Sequence, residues 1–500
     1  MKLSSEEQGP DRREDPEVII VGAGIGGVTL GALLAHRGRR VTVLERNLFA
    51  GGRCVSYEKE GFTVDVFVHM FGRCEKGPFG EILRRVGRPA AIRWWHPSPG
   101  SRPLLYLDGR AFPNPDPSCA SDAETAEVYR GYGLSDQDIR DAFRIREAID
   151  RMPREETLRL DRTPYSAWLR EFTGNKTLLA IEHQKVLFYS VVTSREASAG
   201  EMIRTMANAN RDAGLGYPFG GCAAIPEAYA AVIRECGGTI RLGAAVSKIL
   251  VEKGKALGVR LETGEELRAG LVVSNAGIRE TMRRYVGEEN LPRDYLERVQ
   301  SLSTGKLVEE TPMGMVYLKL ALARPVIEAP VVFCNVRAGA FEGLAEIMQG
   351  ILADRPPRGY KGISSFIPVP SNMDPSLAPP GKQLVNFYGL APVNSGNWQA
   401  WVDYHLGYLY TLYPDVEKHL LWRDFSTLNR INSFSGRFLP DIIGIVQSVG
   451  QTGADRPSPV TPVENLYLVG ADVGQDNIGT ELAAESALRL EAVLAERGLV

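Results

Sequence analysis

Five hundred residues are more than one hydrophobic core usually serves, and a net charge of −3 suits neither a nucleic-acid backbone nor a strongly anionic surface. The composition, 44% hydrophobic and 24% charged, is ordinary for a globular protein, except that 52 glycines exceed the usual share of about 7% and imply many tight turns and close backbone approaches. Six scattered cysteines without a C-x-x-C pair exclude a disulfide framework or a zinc site as the organising device and indicate a reducing, cytoplasmic compartment.

Residues 1–16 are polar, mixed in charge and without an apolar run, so they read as a disordered lead-in rather than a signal peptide. Val18 to Ala35 is an uncharged stretch of 18 residues, long enough to raise the question of a membrane span. Its five glycines argue instead for a strand, a glycine turn and a buried helix. The β-branched run from Val18 to Val21 is expected as a buried parallel strand, Val28 to Arg37 as a helix stopped by Gly38, and Arg40 to Glu45 as a second strand. Residues 120–210 are helical in pattern and dotted with aromatics. A helix from Ile225 to Cys236, a β-meander through Ile249, Val251, Leu257, Val259 and Leu261 with a Thr263-Gly264 turn, and a buried strand Leu271 to Ser274 follow. Residues 313–322 and 383–390 read as strands of a second sheet, and residues 341–352 as a helix with an acidic outer face that packs internally or docks at a membrane surface, where a basic face would be more usual. The chain closes with a strand at Leu466, a turn at Gly470 and a helix from Thr480 to Arg497, with Thr480 as the expected N-cap.

The fingerprint Gly22-x-Gly24-x-x-Gly27 stands between a strand and a helix and is followed 18 residues after Gly27 by Glu45. The first glycine permits a tight turn, the second close approach of a pyrophosphate and the third close packing of helix on strand, while the helix N-terminus offers free N–H groups to phosphates. A carboxylate at Glu45 would accept from ribose hydroxyls. One such fingerprint is present, so a second dinucleotide-binding domain is not expected.

Glu45 followed by Gly51-Gly52-Arg53 resembles the signature of the flavin amine oxidase and phytoene desaturase superfamily. Tyr217-Pro-Phe-Gly-Gly221 with Ile225-Pro, the Ala245-Val246 segment, and Thr461 to Asp472 are similar to further segments of phytoene desaturase-like proteins, in matching order. The resemblance implies FAD, with contacts from Gly22, Gly24, Gly26, Gly27, Glu45, Arg46, Gly52, Arg53, Val246, Asn275, Gly470, Asp472, Ile478, Gly479 and Thr480. In it, Asp472 binds the ribitol and the start of the last helix faces the flavin's pyrimidine edge. The implied fold is α/β: a discontinuous, glutathione reductase-like Rossmann-type FAD-binding domain (17–75, 212–285, 435–500) with an inserted α+β substrate domain (76–211, 286–434).

Gly61-Phe-Thr-Val-Asp65-Val-Phe67-Val-His69 resembles a stretch of carotenoid isomerase and retinol saturase relatives, with Phe67 in place of a glycine. His69 has a side chain suited to proton transfer near neutral pH, or to a hydrogen bond within the FAD part, and Asp65 reads as structural. The resemblance implies an enzyme acting on C–C/C=C bonds of an apolar isoprenoid or polyene by hydride transfer at flavin N5, through desaturation, saturation or isomerisation. An amine or protoporphyrinogen oxidase, and a non-redox prenyl-group carrier of the GDP-dissociation-inhibitor type, are the alternatives. Quinone or redox-protein partners and contact with the inner face of a membrane are further expectations; nucleic acid is not.

Overall fold

The computed structural model describes residues 16–67, 70–107, 110–115, 120–212, 215–305, 313–335, 349–358, 365–439 and 441–500. The lead-in, most of the expected helix at 341–352, and both Val68 and His69 lie outside the described residues.

Val18–Val21 is apolar throughout and completely buried, which suits only the middle of a parallel sheet covered on both faces. It lies there. The sheet runs Thr239–Arg241, Val41–Leu44, Val18–Val21, Leu271–Ser274, Leu466–Leu468, with every pairing parallel. One face is covered by helix Ile25–His36, packed between Ala224–Glu235 and Gly479–Glu496. The other carries the antiparallel meander Val246–Glu252, Lys255–Leu261, Glu266–Arg268. Uncharged Val18 to Ala35 is thus a strand, turn and buried helix, and among the described residues no helix is long and apolar enough to cross a membrane.

The two excursions from this core meet in a seven-stranded sheet: Leu420–Thr427, Met313–Leu322, Gln383–Pro392, Ser365–Pro368, Val331–Asn335, Leu104–Leu107, Arg110–Pro113. Met313–Leu322 and Gln383–Pro392 pair antiparallel, whereas Val331–Asn335 and Leu104–Leu107, drawn from different excursions, pair in parallel. Helices Asp122–Gly131, Asp136–Arg151, Lys176–Ser190 and Ala199–Arg211 share one core with this sheet. The first two helices open with capping boxes, Ser121 with Glu124 and Ser135 with Asp138.

Packing shifts one expected boundary. Helix Pro78–Arg85 carries Phe79, Ile82 and Leu83 into the core of the parallel sheet, so that core extends past residue 75. Trp94–Trp95 likewise pairs with Leu215–Pro218. Neither link is visible locally, because each depends on a partner more than a hundred residues away.

Cys54, Cys74, Cys222, Cys236 and Cys334 are free thiols. Cys74 meets Glu75 and His96 with ligand atoms within 4.8 Å of one another. Burial holds its thiol well above the ordinary pKa, which disfavours the thiolate a metal would need.

Candidate flavin site

The carboxyl ends of Val18–Val21, Val41–Leu44 and Leu271–Ser274 open onto one cavity of about 610 Å³, the position at which open α/β sheets bind ligands. Glycines shape its floor. Gly22 turns with φ of +97°, a conformation most side chains avoid. A Cβ at Gly24 would lie 2.6 Å from Asn275 Nδ2, and one at Gly26 would lie 2.6 Å from Asn275 Oδ1 and 2.8 Å from the Gly470 nitrogen. At Gly27 it would overlap the carbonyl oxygen of Gly22. Asn275 thereby wedges the first glycine turn against the last, and its own N–H is held by Val21 O at 2.8 Å. Helix Ile25–His36 begins at Gly24 without a side-chain cap, leaving its N-terminal N–H groups to an anion.

Glu45 is buried at the end of the second strand. Its Oε2 accepts from the Ala23 N–H at 2.8 Å, and its Oε1 from the backbone and side chain of Asn47, both at 2.9 Å. A carboxylate has room for about four such bonds, so acceptor capacity for ribose remains. Glu45→Ala should both loosen the glycine turn and remove that acceptor. The expected result is at least a tenfold loss of FAD affinity in a binding titration, and unchanged affinity would refute this placement.

Gly51 and Gly52 take φ of +113° and +61°, and Gly51 bonds back to Ala23 O at 2.7 Å, folding this segment over the fingerprint. Arg53 follows, with its Nη1 donating to the main-chain oxygen and to Oδ1 of Asp441 at 2.8 and 2.9 Å. Asp441 in turn accepts from Arg437 Nε at 2.7 Å, and Arg437 forks onto both oxygens of Asp472 at 2.9 Å. The Ile278 and Ile445 N–H groups also reach Asp472, at 2.9 and 3.0 Å. These four bonds use the acceptor sites of that carboxylate, and they hold its pKa far below the usual range despite burial. Asp472 lines the cavity, and its carboxylate orients Arg437 there. Arg437 and Asp441 carry no local motif and were not anticipated. The glycines that make room for Arg437, at 277 and 444, become meaningful only once its side chain is seen between them.

The last helix spans Gly479–Glu496, with Ile478 rather than Thr480 at the cap position and no side-chain cap. The Thr480 hydroxyl donates to its neighbour, Glu481 Oε2, at 3.1 Å, so the helix start stays open toward the cavity that Ile478, Gly479 and Thr480 line. Arg46, Gly52, Val246 and Gly470 line the same cavity. Every cofactor residue expected from sequence is therefore at this cavity except Gly27, which supports it from below.

Asp65 is structural as expected: Tyr217 OH, the Cys222 N–H and Ser56 Oγ all donate to it, the last two at 2.9 and 2.7 Å. Phe67 and Met70, which flank the undescribed Val68 and His69, line the cavity. Lys319, its pKa pushed down to about 7 mainly by burial, pins this segment by donating to Val66 O at 3.0 Å.

Beyond the glycine floor the same cavity passes aromatic rings in contact: Phe67 to Tyr317 at 5.0 Å, Tyr317 to Tyr388 at 5.2 Å, Tyr388 to Phe366 at 5.9 Å, and Phe366 to Phe333 at 5.0 Å and Phe188 at 5.4 Å. It ends among the helices Asp136–Arg151, Lys176–Ser190 and Ala199–Arg211.

A glycine floor that any Cβ would fill, two uncapped helix starts and an arginine pair at a strand-end crevice together fit a dinucleotide with a long attached ring system. The profile of flavin-containing amine oxidoreductases matches residues 25–490. The chain belongs to that family. It is an FAD-dependent oxidoreductase with a Rossmann-type FAD domain and a substrate domain. It is 26% identical to a neurosporene-forming phytoene desaturase of Cereibacter sphaeroides, across 96% of this chain and 97% of that one. Prolycopene isomerase of Daucus carota is 24% identical, across 93% and 78%. An oxidoreductase from Methanosarcina mazei shares the fold, with a TM-score of 0.70 at 22% identity over 95% of this chain and 99% of that one.

Proposed function

We propose that this flavoenzyme acts on a carbon–carbon bond of an apolar polyene or isoprenoid, as a desaturase, saturase or isomerase. The observation that carries this reading is the single cavity running from the glycine floor along the aromatic belt into the helical half. Flat, polarisable rings suit a conjugated chain, and an apolar tunnel contributes roughly 25 cal/mol for each Å² of substrate surface withdrawn from water. The names of the relatives, a phytoene desaturase and a prolycopene isomerase, agree with it.

FAD supplies hydride acceptance and donation at N5 when bound. The protein's part is to orient and to exclude water. The fingerprint, Glu45 and the Arg53–Asp441–Arg437–Asp472 chain hold the cofactor at the strand ends, and the uncapped start of Gly479–Glu496 presents a positive dipole end toward charge developing there. His69 is the sequence candidate for the accompanying proton.

An amine oxidase would need two rings facing across a gap. Tyr317 and Tyr388 instead meet edge to face at 72°, leaving no slot between them. A carrier would have no use for the glycine floor or the buried arginine chain. Quinone or a redox protein as electron partner, and docking at a membrane surface to collect the substrate, complete the proposal.

Mass spectrometry of the small molecules released on denaturing the purified protein tests it. FAD together with a polyene or prenyl lipid is the expected result. An apolar ligand without flavin would favour the carrier, and FAD with a polar amine would favour the oxidase.

A further inference from the structure

A desaturation removes a hydride and a proton from adjacent carbons, and saturation returns them, so the cavity needs a group that exchanges a proton in step with the cofactor. Glu481 is built for that. It stands in the first turn of Gly479–Glu496, is only 3% exposed, and lines the cavity beside Gly72, Ile478, Gly479 and Thr480. Its Oε1 accepts from the Gly72 N–H and its Oε2 from the Thr480 hydroxyl, so its orientation is fixed from two sides.

We propose that Glu481 binds a proton when the flavin is reduced and releases it when the flavin is reoxidised. In the oxidative direction the substrate gives a hydride to the flavin and a proton from the neighbouring carbon to the Glu481 carboxylate, and the C=C bond forms from the electrons left behind. In the reductive direction both return. Electrons and protons balance within the substrate, the flavin and one carboxyl group.

The surroundings place this group between its two forms. Burial disfavours the carboxylate, while the helix start, the Gly72 N–H, Thr480 and the Arg73 cation favour it, and the outcome is a pKa raised to about 7. Arg73 is itself committed to Asp212 and Asn477, at 2.6 and 2.7 Å. Cys74, on the same side, is a neutral thiol, and Glu485, one turn along the helix, is likewise raised to about 7 by burial. Negative charge arriving on the flavin repels a carboxylate in the same apolar space, which raises the pKa further and draws the proton in.

The test needs bound FAD but no substrate, so it can fail while the polyene reading stands, and the reverse. The midpoint potential of the FAD-loaded protein is measured anaerobically from pH 7 to 9. One proton per two electrons gives a slope of about 30 mV per pH unit, and two protons give about twice that. Wild type should show the steeper slope over part of this range, and Glu481→Gln, which keeps the side-chain shape, the shallower one throughout. Reduction should also create a protonated-carboxyl band in the difference infrared spectrum that Glu481→Gln lacks. Equal slopes and an unchanged band would overturn the proposal. So would a second proton that disappears in His69→Ala and persists in Glu481→Gln. Should Glu481→Gln fail to load FAD, Glu481→Asp serves: a shifted but still two-proton region supports the assignment, and a spectrum and slope identical to wild type sinks it.

Discussion

Gly27→Ala should leave a chain that folds but retains little or no FAD. The added methyl overlaps the Gly22 carbonyl oxygen and comes within 3.3 Å of the Asn275 Cβ, so the clash is with backbone on one side and a wedged side chain on the other. Neither can yield cheaply, since Gly22 N–H is tied to Leu44 O at 2.7 Å and Asn275 N–H to Val21 O. Overpacking of this kind costs about 3 kcal/mol, or roughly a hundredfold in affinity if the turn opens only when the cofactor leaves. The flavin-to-protein absorbance ratio after purification reads it directly. Gly38→Ala is the control: nothing lies within 4 Å, but φ of +84° makes alanine strained, so stability should fall by about 1 kcal/mol with flavin content unchanged. A Gly27→Ala protein carrying stoichiometric FAD would refute the assigned floor.

Arg437→Met should be the most destabilising single change among the site residues. It leaves Asp441 and Asp472, both buried, without their common cation, and Glu280 loses a cation 3.7 Å away. Removing one partner from a buried ionic cluster typically costs about 3–5 kcal/mol, because the remaining charges are stranded rather than because the pair itself was strongly stabilising. The pH dependence gives a second reading. Arg437 holds both aspartates below their ordinary pKa, so the stability they contribute is present above the unfolded value near 4 and is lost as pH falls through their folded values. Wild type should therefore lose stability steeply below about pH 4. In Arg437→Met the Asp472 contribution is already gone near neutrality and Asp441 keeps only Arg53, so the acid limb should be shallower. Denaturant titrations of the FAD-free proteins from pH 3 to 7 measure both, and parallel curves of equal height would show the cluster to be energetically idle.

The extent to which these features were legible in the sequence follows from how local their causes are. The fingerprint was readable because two of its glycines answer to constraints within a few residues, a positive φ at Gly22 and a contact between Gly27 and Gly22 itself, whereas the room needed at Gly24 is set by distant Asn275. The buried strands at Val18 and Leu271 announced themselves by continuous apolar runs, and the meander by its alternation and the Thr263-Gly264 turn. The expected cap at Thr480 failed because propensity names a suitable residue, while the hydroxyl was claimed by Glu481 next to it. Asp472 was marked by the closing motif, but its partners at 278, 437 and 445 were not, because they reach it only through the fold.

By itself, then, the sequence determined the dinucleotide half: strand, glycine turn, helix, strand and acid within thirty residues, where short-range sterics and hydrogen bonding leave one solution. What the tertiary structure decided is the rest of the site. The links from Arg53 to Asp441 and from Arg437 to Asp472, the seven-stranded sheet assembled from two excursions, the aromatic belt and the burial of Glu481 all join residues tens to hundreds of positions apart. Charge pairing and desolvation depend on distance in space, and no spacing along the chain records them.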